Sequence, residues 1–396
     1  MGKSDLRRLL EDELAALARP MRALEEEARD FWRHPDAPAL AVWANFPAAD
    51  NALPAPVGTV SEHALYEELH RSVKPALESR RCGFDTVPVL VAHERHYRGP
   101  SFGTRFLAAV MGAELVFPEG LPERERTGWR AGVKPLIKDL SEIGRLEAVD
   151  VSQSPLLLAV LRAYEELAQI VRGRIPFTRY SPTLPLDFAA DVIGHERFFE
   201  LLAADPEGAA RLLHVCAEKW IEMMRLQERA VGSPMANSLF QPGIYVHDMI
   251  LPFLSPDTIR RIVIPYNARL SAAFGGLSLH INHPEQSLLD DYSRLPRVCA
   301  YGFQRNWSPA RILECLRNKA VLTASLNWHY HQGKKPSSPE CLPWEEHCRR
   351  LAPLAGRLRI LATLSGWGET PLEQRQCMLR DLADLRREFP GPPATS

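Results

Sequence analysis

Short unbroken apolar runs, separated by longer stretches of helical periodicity, set the pattern of this chain. Runs rich in aliphatic, β-branched and aromatic residues stand at LAVWANF (40–46), VPVLVAH (87–93), PFTRYS (176–181) and GIYVHD (243–248). Four more follow at LSLHIN (277–282), RVCAYGF (297–303), AVLTASLN (320–327) and LRILATLS (358–365). Their apolar residues run together instead of alternating with polar ones, as in strands covered on both faces of a parallel sheet.

The intervening helices announce their starts. Ser154-Pro155, Asp205-Pro206, Ser255-Pro256, Ser308-Pro309 and Thr370-Pro371 each precede an amphipathic stretch. An oxygen-bearing side chain at the N-cap satisfies orphan amides, and proline at the first helical position loses no hydrogen bond. Glu373 completes a capping box with Thr370. Pro265 falls inside the helical pattern that opens at Pro256 and is expected to kink it.

Eight strands, each followed by helix, predict an α/β fold of the (β/α)8 TIM-barrel type. An open doubly wound sheet should carry a glycine-rich phosphate turn, and neither GxGxxG nor GxxxxGK[ST] occurs. The predicted organisation is an N-terminal helical arm over 1–36 and a single barrel domain over 37–390, with extra length in the stretch from 94 to 175. The arm, rich in Glu and Arg, reads as a solvated amphipathic helix or an oligomer contact, which would suit a homodimer.

Composition explains the punctuation. The 396 residues include 33 prolines, about 8% against a usual ~5%. With 45% hydrophobic residues the chain is not of the disordered type, so the prolines belong to an ordered fold. Lys plus Arg (48) nearly cancels Asp plus Glu (49), for a formal charge of −1, which argues against nucleic acid as a partner. No apolar run reaches the ~18 residues of a membrane span. The N-terminus lacks the apolar core of a signal peptide, and seven cysteines without CxxC spacing predict reduced thiols in a cytoplasmic protein.

The chemistry of such a fold gathers where strands end. Seven of the thirteen histidines lie at predicted strand ends: His93, His96, His247, His280, His283, His329 and His331. Histidine suits both metal ligation and proton transfer near neutral pH. His280 is the leading candidate for catalysis, with Asp248, Tyr180 and Arg179 beside it. Asn282, Arg305, Asn327 and Trp328, at the ends of the fifth, sixth and seventh strands, are the expected substrate contacts. His280, His247, Asp248 and His329 would form an open site for a divalent metal, Zn or Fe(II). His247 and Asp248 are neighbours and face opposite sides of a regular strand, so both serve only if the strand has ended. Asp187, ahead of an apolar helix, reads first as a cap. Trp307, Trp328 and Trp367 follow strands and suit either a pocket or loop packing.

The segment FLSPDTIRRIVIPYNARLSAAFGGLSLHINH (253–283) resembles the LLSPxxFRxxVLPYxxRL…GGxxxLHxCG pattern of the uroporphyrinogen decarboxylase superfamily. FGTRFLAAVMGAELVFPEG (102–120) and PTLPLDFAADVIGHERFFELLAADPEGAARLL (182–213) are similar in order and spacing, and the likeness runs from about 38 to 375. It implies the same (β/α)8 barrel. One branch of that superfamily binds a polycarboxylated tetrapyrrole through an arginine-rich motif after the first strand; here Asn45-Phe46-Pro47-Ala48-Ala49 carries no arginine. The other comprises zinc-dependent, cobalamin- or thiol-linked methyltransferases, whose metal sits on His-x-Cys after the fifth strand and a second Cys near the eighth. His280 matches the histidine, but Asn282 stands at the first Cys position and Leu364–Gly368 offers none. A metal here would need a harder N/O ligand set.

These features lead to a methyltransferase or demethylase-type reaction on a small molecule or a corrinoid-bound methyl group, with a corrinoid protein as partner. A metal-free decarboxylase or lyase is the alternative, with Arg179, Tyr180 and Arg305 on the carboxylate and His280 as the proton donor. A non-catalytic tetrapyrrole- or partner-binding protein is the third.

Overall fold

The computed structural model describes residues 3–37, 39–44, 66, 105–120, 131–179, 184–237, 241–281, 283, 285–302, 307–317, 319–327, 349–354 and 356–365. The fold is α/β and is organised by a parallel sheet. Its strands are β1 (Ala39–Ala44), β4 (Ile244–Val246), β5 (Leu277–Leu279), β6 (Val298–Gly302), β7 (Val321–Asn327) and β8 (Arg359–Ser365). A short antiparallel pair, β2 (Leu115–Val116) and β3 (Gly132–Val133), stands apart in the long stretch before the central helices.

The spatial order of the large sheet is β1-β8-β7-β6-β5-β4. Six of the eight predicted strands therefore form where the apolar runs placed them. The first pairs in parallel with the last, Ala39 opposite Arg359 through Ala44 opposite Leu364. Among the described residues the sheet remains six-stranded and is not closed. The run 87–93 lies outside those residues, and the run 176–181 contributes an isolated parallel bridge between Thr178 and Ala236.

Alternation along the strands sorts side chains onto two faces. Ile244, Val246, Leu277, Leu279, Tyr301, Leu322, Ile360 and Ala362 join the main core with the helices. Ala300, Val321 and Leu361 point to the other face, where Leu24, Ala28 and Trp32 of the N-terminal helix Lys3–Arg33 cover them. A register shift after Leu277 reverses the sense of β6, so that Ala300 faces with Ser278 while Val298 faces the main core.

The N-terminal helix is amphipathic as expected, but its apolar stripe is not left for solvent or for a second copy. Leu6, Leu10, Leu14, Leu17 and Met21, spaced three and four apart, are buried in the main core of the same chain. The first strand is then tied down by Arg359, at the start of β8. Its guanidinium donates to the carbonyls of Ala37 (2.9 Å) and Phe31 and lies over the Phe31 ring.

Of the five proline-led helix starts expected from the sequence, four lie among the described residues and three of these are capped by a side chain. Asp205 accepts from Gly208 N (2.9 Å), Ser255 from Thr258 N (3.1 Å) and Ser308 from Arg311 N (3.2 Å). Ser154 precedes its helix without such a bond. The interruption expected at Pro265 takes the form of a π-helical stretch, Ile259–Val263, between Pro256–Thr258 and Ile264–Phe274. A widened turn of this type accommodates a proline that has no amide to donate.

Candidate functional site

Strands β4 and β5 begin unusually close together and end on two histidines. A Cβ on Gly243 (φ 75°) would stand 2.1 Å from the Gly276 backbone, so glycine there permits the approach. The register Tyr245 to Ser278 and Val246 to Leu279 then places the two residues that follow, His247 and His280, side by side. The pairing carries one residue past β5, since His280 N donates to Val246 O at 2.8 Å.

The rings of His247 and His280 meet edge to face, with centroids 4.3 Å apart, and Tyr245 lies 6.4 Å from His247. Both histidines are half-buried. The third wall is the end of β6. A Cβ on Gly302 would fall 2.5 Å from His280 Nδ1 and 3.2 Å from its Cγ, so the imidazole rests against a backbone that has no side chain. With its Nδ1 edge against β6, the ring turns its Nε2 edge away from that strand.

Behind the pair, on the helix side, is a buried acidic cluster. Asp248 is only 2% exposed, and its carboxylate accepts a hydrogen bond from the Tyr266 hydroxyl. Asp187, in the first turn of the helix Pro185–Ile193, accepts from Met249 N (3.0 Å) and Ile250 N (3.1 Å). It is a clamp on the turn after β4 and not the cap of its own helix. One turn further along, Asp191 receives two hydrogen bonds from Arg105 (2.5 and 2.7 Å) and lies 3.2 Å from His195 Nε2.

Burial pushes the Asp187 carboxyl up to about 6, and the neighbouring Asp191 charge adds to the rise; the Met249 and Ile250 amides and Arg105 oppose it. Asp248 is pushed well above the carboxylate range by burial first and then by Asp187. The sign for stability follows. A carboxyl raised in the folded state holds its proton where the unfolded chain has lost it, so its contribution is complete below pH ~4 and is lost as pH rises through about 6. Two pH units correspond to about 3 kcal/mol. Relative to wild type, Asp187→Asn is expected to gain on the order of 3 kcal/mol between pH 4 and pH 7. Urea unfolding of both proteins at the two pH values measures it, and parallel pH profiles would refute it.

The expected site residues divide. His247 and His280 come together. Asp248 is adjacent in sequence but turns into the core toward Tyr266, so among the described residues it does not group with the two imidazoles as a ligand set. Among the described residues no group of three or more His, Cys, Asp or Glu side chains is placed to hold a metal ion. His283 is committed to the backbone, with Nε2 3.0 Å from Leu254 O and Nδ1 accepting from Glu285 N at 3.0 Å.

Arg179 lies at the other end of the sheet. It pairs with Glu228 (Nε 3.0 Å), in the last turn of the helix Pro206–Val231, and sits over the Phe274 ring. With Trp32, Gln241 and Phe274 it lines a cavity of about 480 Å³ beside the start of β4. Arg179 thus stands beside Gly243, where β4 begins, whereas His280 follows the end of β5. Trp307 is core. Asn327 ends β7 opposite Ser365, and its side chain is outside the described residues. Tyr180, Asn282, Arg305, Trp328 and His329 also lie outside them.

Sequence reading missed Tyr266, Gly302 and Arg105. Two acids four residues apart in PLDFAADVI, on an otherwise apolar helix, were the available signal for a buried network. No helix among the described residues is long and apolar enough to cross a membrane.

Comparison with known proteins agrees with this layout. The profile of a family described as uroporphyrinogen decarboxylase (URO-D) matches residues 102–323, more than half of the chain. Among solved structures, the chain is similar to a methyltransferase from Methanosarcina mazei, with a TM-score of 0.51 and 18% identity. That likeness covers 83% of this chain and 84% of the other. No curated protein sequence matches.

Proposed function

The chain belongs to the uroporphyrinogen decarboxylase (URO-D) family, and we propose that within it this protein is a methyltransferase-type enzyme acting on a small molecule at His247 and His280. We further propose that the parallel sheet closes into an eight-stranded barrel, with the runs 87–93 and 176–181 completing it between β1 and β4. The juxtaposition of the two imidazoles at the ends of β4 and β5 carries this reading. The structural likeness to a methyltransferase supports the fold on which it rests.

The reaction proposed is transfer of a methyl group from a corrinoid to a thiol. The cobalt–carbon bond breaks, cobalt keeps the electron pair, and a new sulfur–carbon bond forms. The thiol must lose its proton before or during attack, and an imidazole whose Nε2 edge is turned away from β6 is suited to accept it. Tyr245, on the same face as His247, supplies an aromatic wall for the methyl donor. A divalent metal suits the same donors, since imidazole serves Zn and Fe(II). His247 and His280 would hold it, with His329 the candidate for a third ligand. When bound, such an ion lowers the pKa of a coordinated thiol.

The decarboxylase alternative places Arg179, Tyr180 and Arg305 on a carboxylate, and of these Arg179 is engaged with Glu228 at the strand starts. That observation favours methyl transfer.

The test is direct. Purified protein is incubated with methylcobalamin and a small thiol, the visible spectrum is followed, and thioether is measured by mass spectrometry, with metal content assayed in parallel. Thioether formation above the protein-free rate is expected. Failure of methyl transfer from corrinoid, N-methyl and O-methyl donors alike, with or without added Zn or Fe(II), would overturn the reading. Carbon dioxide release from small acids would replace it with the decarboxylase.

A further inference from the structure

We propose that Asp187 is a positioning residue for His247: from the helix Pro185–Ile193 its carboxylate holds two successive amides of the turn after β4 and so fixes the direction of the imidazole two residues before them. The inference rests on the reading that His247 works at the site, and it adds a residue whose side-chain hydrogen bonds go to the Met249 and Ile250 amides instead of to the imidazole pair.

The need for such a device follows from the local backbone. β4 is three residues long, and His247 comes immediately after its last paired residue, Val246. The paired strand ladder therefore stops before the functional side chain begins. On the β5 side, His280 is held one residue further, because its amide donates to Val246 O. On the β4 side the chain instead turns at Met249 and Ile250 into the short helical turn Leu251–Phe253.

Two consecutive amides pointing in one direction form a small cradle, and a carboxylate with two oxygens fits it. Asp187 fills it with one oxygen on each amide, at 3.0 and 3.1 Å. Its own helix cannot drift, because every residue from Pro185 to Ile193 is buried. Asp191 anchors the same helix again through Arg105. Between His247 and the clamped amides, Asp248 is pinned by Tyr266 from a second helix. The chain from 248 to 250 is thus gripped from two helices, and the imidazole at 247 inherits that placement.

A substitution at 187 should therefore move His247 more than it moves the rest of the protein. In Asp187→Asn, one of the two amides faces a carboxamide N–H₂ and loses its acceptor; in Asp187→Ala both do. The full chain, labelled at histidine with ¹³C, gives a separate Cε1–Hε1 signal for each imidazole, and that of His247 is assigned by its loss in His247→Ala. The His247 signal is expected to shift and broaden in Asp187→Asn, and to do so further in Asp187→Ala. The His34 and His214 signals, from exposed rings beside the helix Lys3–Arg33 and on the helix Pro206–Val231, should stay within wild-type line widths. In the methyl-transfer assay kcat is expected to fall about tenfold in Asp187→Asn while KM stays within about twofold.

An unchanged His247 signal in Asp187→Asn and Asp187→Ala, with kcat also unchanged, would overturn the proposal. If Asp187→Ala does not fold, Asp187→Asn decides alone. If His247→Ala keeps full activity, the proposed function fails at that residue, whereas the spectroscopic series still reports whether Asp187 sets the ring.

Discussion

His280→Ala is expected to lower kcat/KM for methyl transfer by about a thousandfold or more while leaving the fold intact. The size follows from the role: removal of a positioned proton acceptor costs on the order of 10² to 10⁴ in rate. The fold should survive because the ring is half-buried and stands at the end of the strand, while the residues that anchor β5, Leu277 and Leu279, are untouched. Gly302→Ala is the companion experiment. Its new methyl would lie 2.5 Å from His280 Nδ1, which no side-chain contact tolerates, so the ring must turn away. Activity should then fall by roughly a hundredfold with His280 still present. Steady-state kinetics and thermal unfolding of the two variants measure the two effects separately. An active His280→Ala protein would remove His280 from the chemistry, and an active Gly302→Ala protein would show that the ring's orientation is not what matters.

The features legible in the sequence were those that depend on local periodicity. Six apolar runs became strands of one parallel sheet, the arrangement in which unbroken apolar character is expected. Asp205, Ser255 and Ser308 cap helices because an N-cap needs only its own next three residues. The same locality explains the misreadings. The stripe Leu6 to Trp32 announced an amphipathic helix, but periodicity states which face is apolar and not what covers it. Asp187 looked like a cap because its sequence position allowed one; the amides it serves lie more than sixty residues away.

The site was half visible for a related reason. The clustering of histidines near strand ends pointed to the region, and strand pairing then brought His247 and His280 into contact. The divergence of His247 and Asp248 also followed from alternation on a strand. Whether Asp248 would meet a metal or the core depended on Tyr266, a partner reached only by folding. Arg179 lies beside the start of β4 and not with the histidines, because a strand has two ends and the run PFTRYS does not reveal where along the sheet it lies.

The buried cluster behind the histidines gives Arg105 a large expected weight in stability. Asp191 is 2% exposed and carries two hydrogen bonds from that guanidinium. Arg105→Met keeps the apolar stem and removes the charge, leaving a buried carboxylate whose remaining partner is the half-exposed imidazole of His195. Breaking a buried pair from one side costs about 3 to 5 kcal/mol, because the surviving ion keeps its desolvation penalty without its counter-charge. The double variant Arg105→Met, Asp191→Leu removes both charges and should recover most of that loss. Arg105 also opposes the upward displacement of the Asp187 carboxyl, so its removal should move that titration higher still. Two opposite signs are thus expected in one protein: lower stability throughout, and a clamp on the β4 turn that keeps its proton to higher pH. Urea unfolding of wild type and both variants at pH 5 and pH 7.5 separates them. A single-variant loss below about 1 kcal/mol, the range of an exposed pair, would mean that water reaches Asp191 and that this ion pair adds little to the anchoring of the helix Pro185–Ile193.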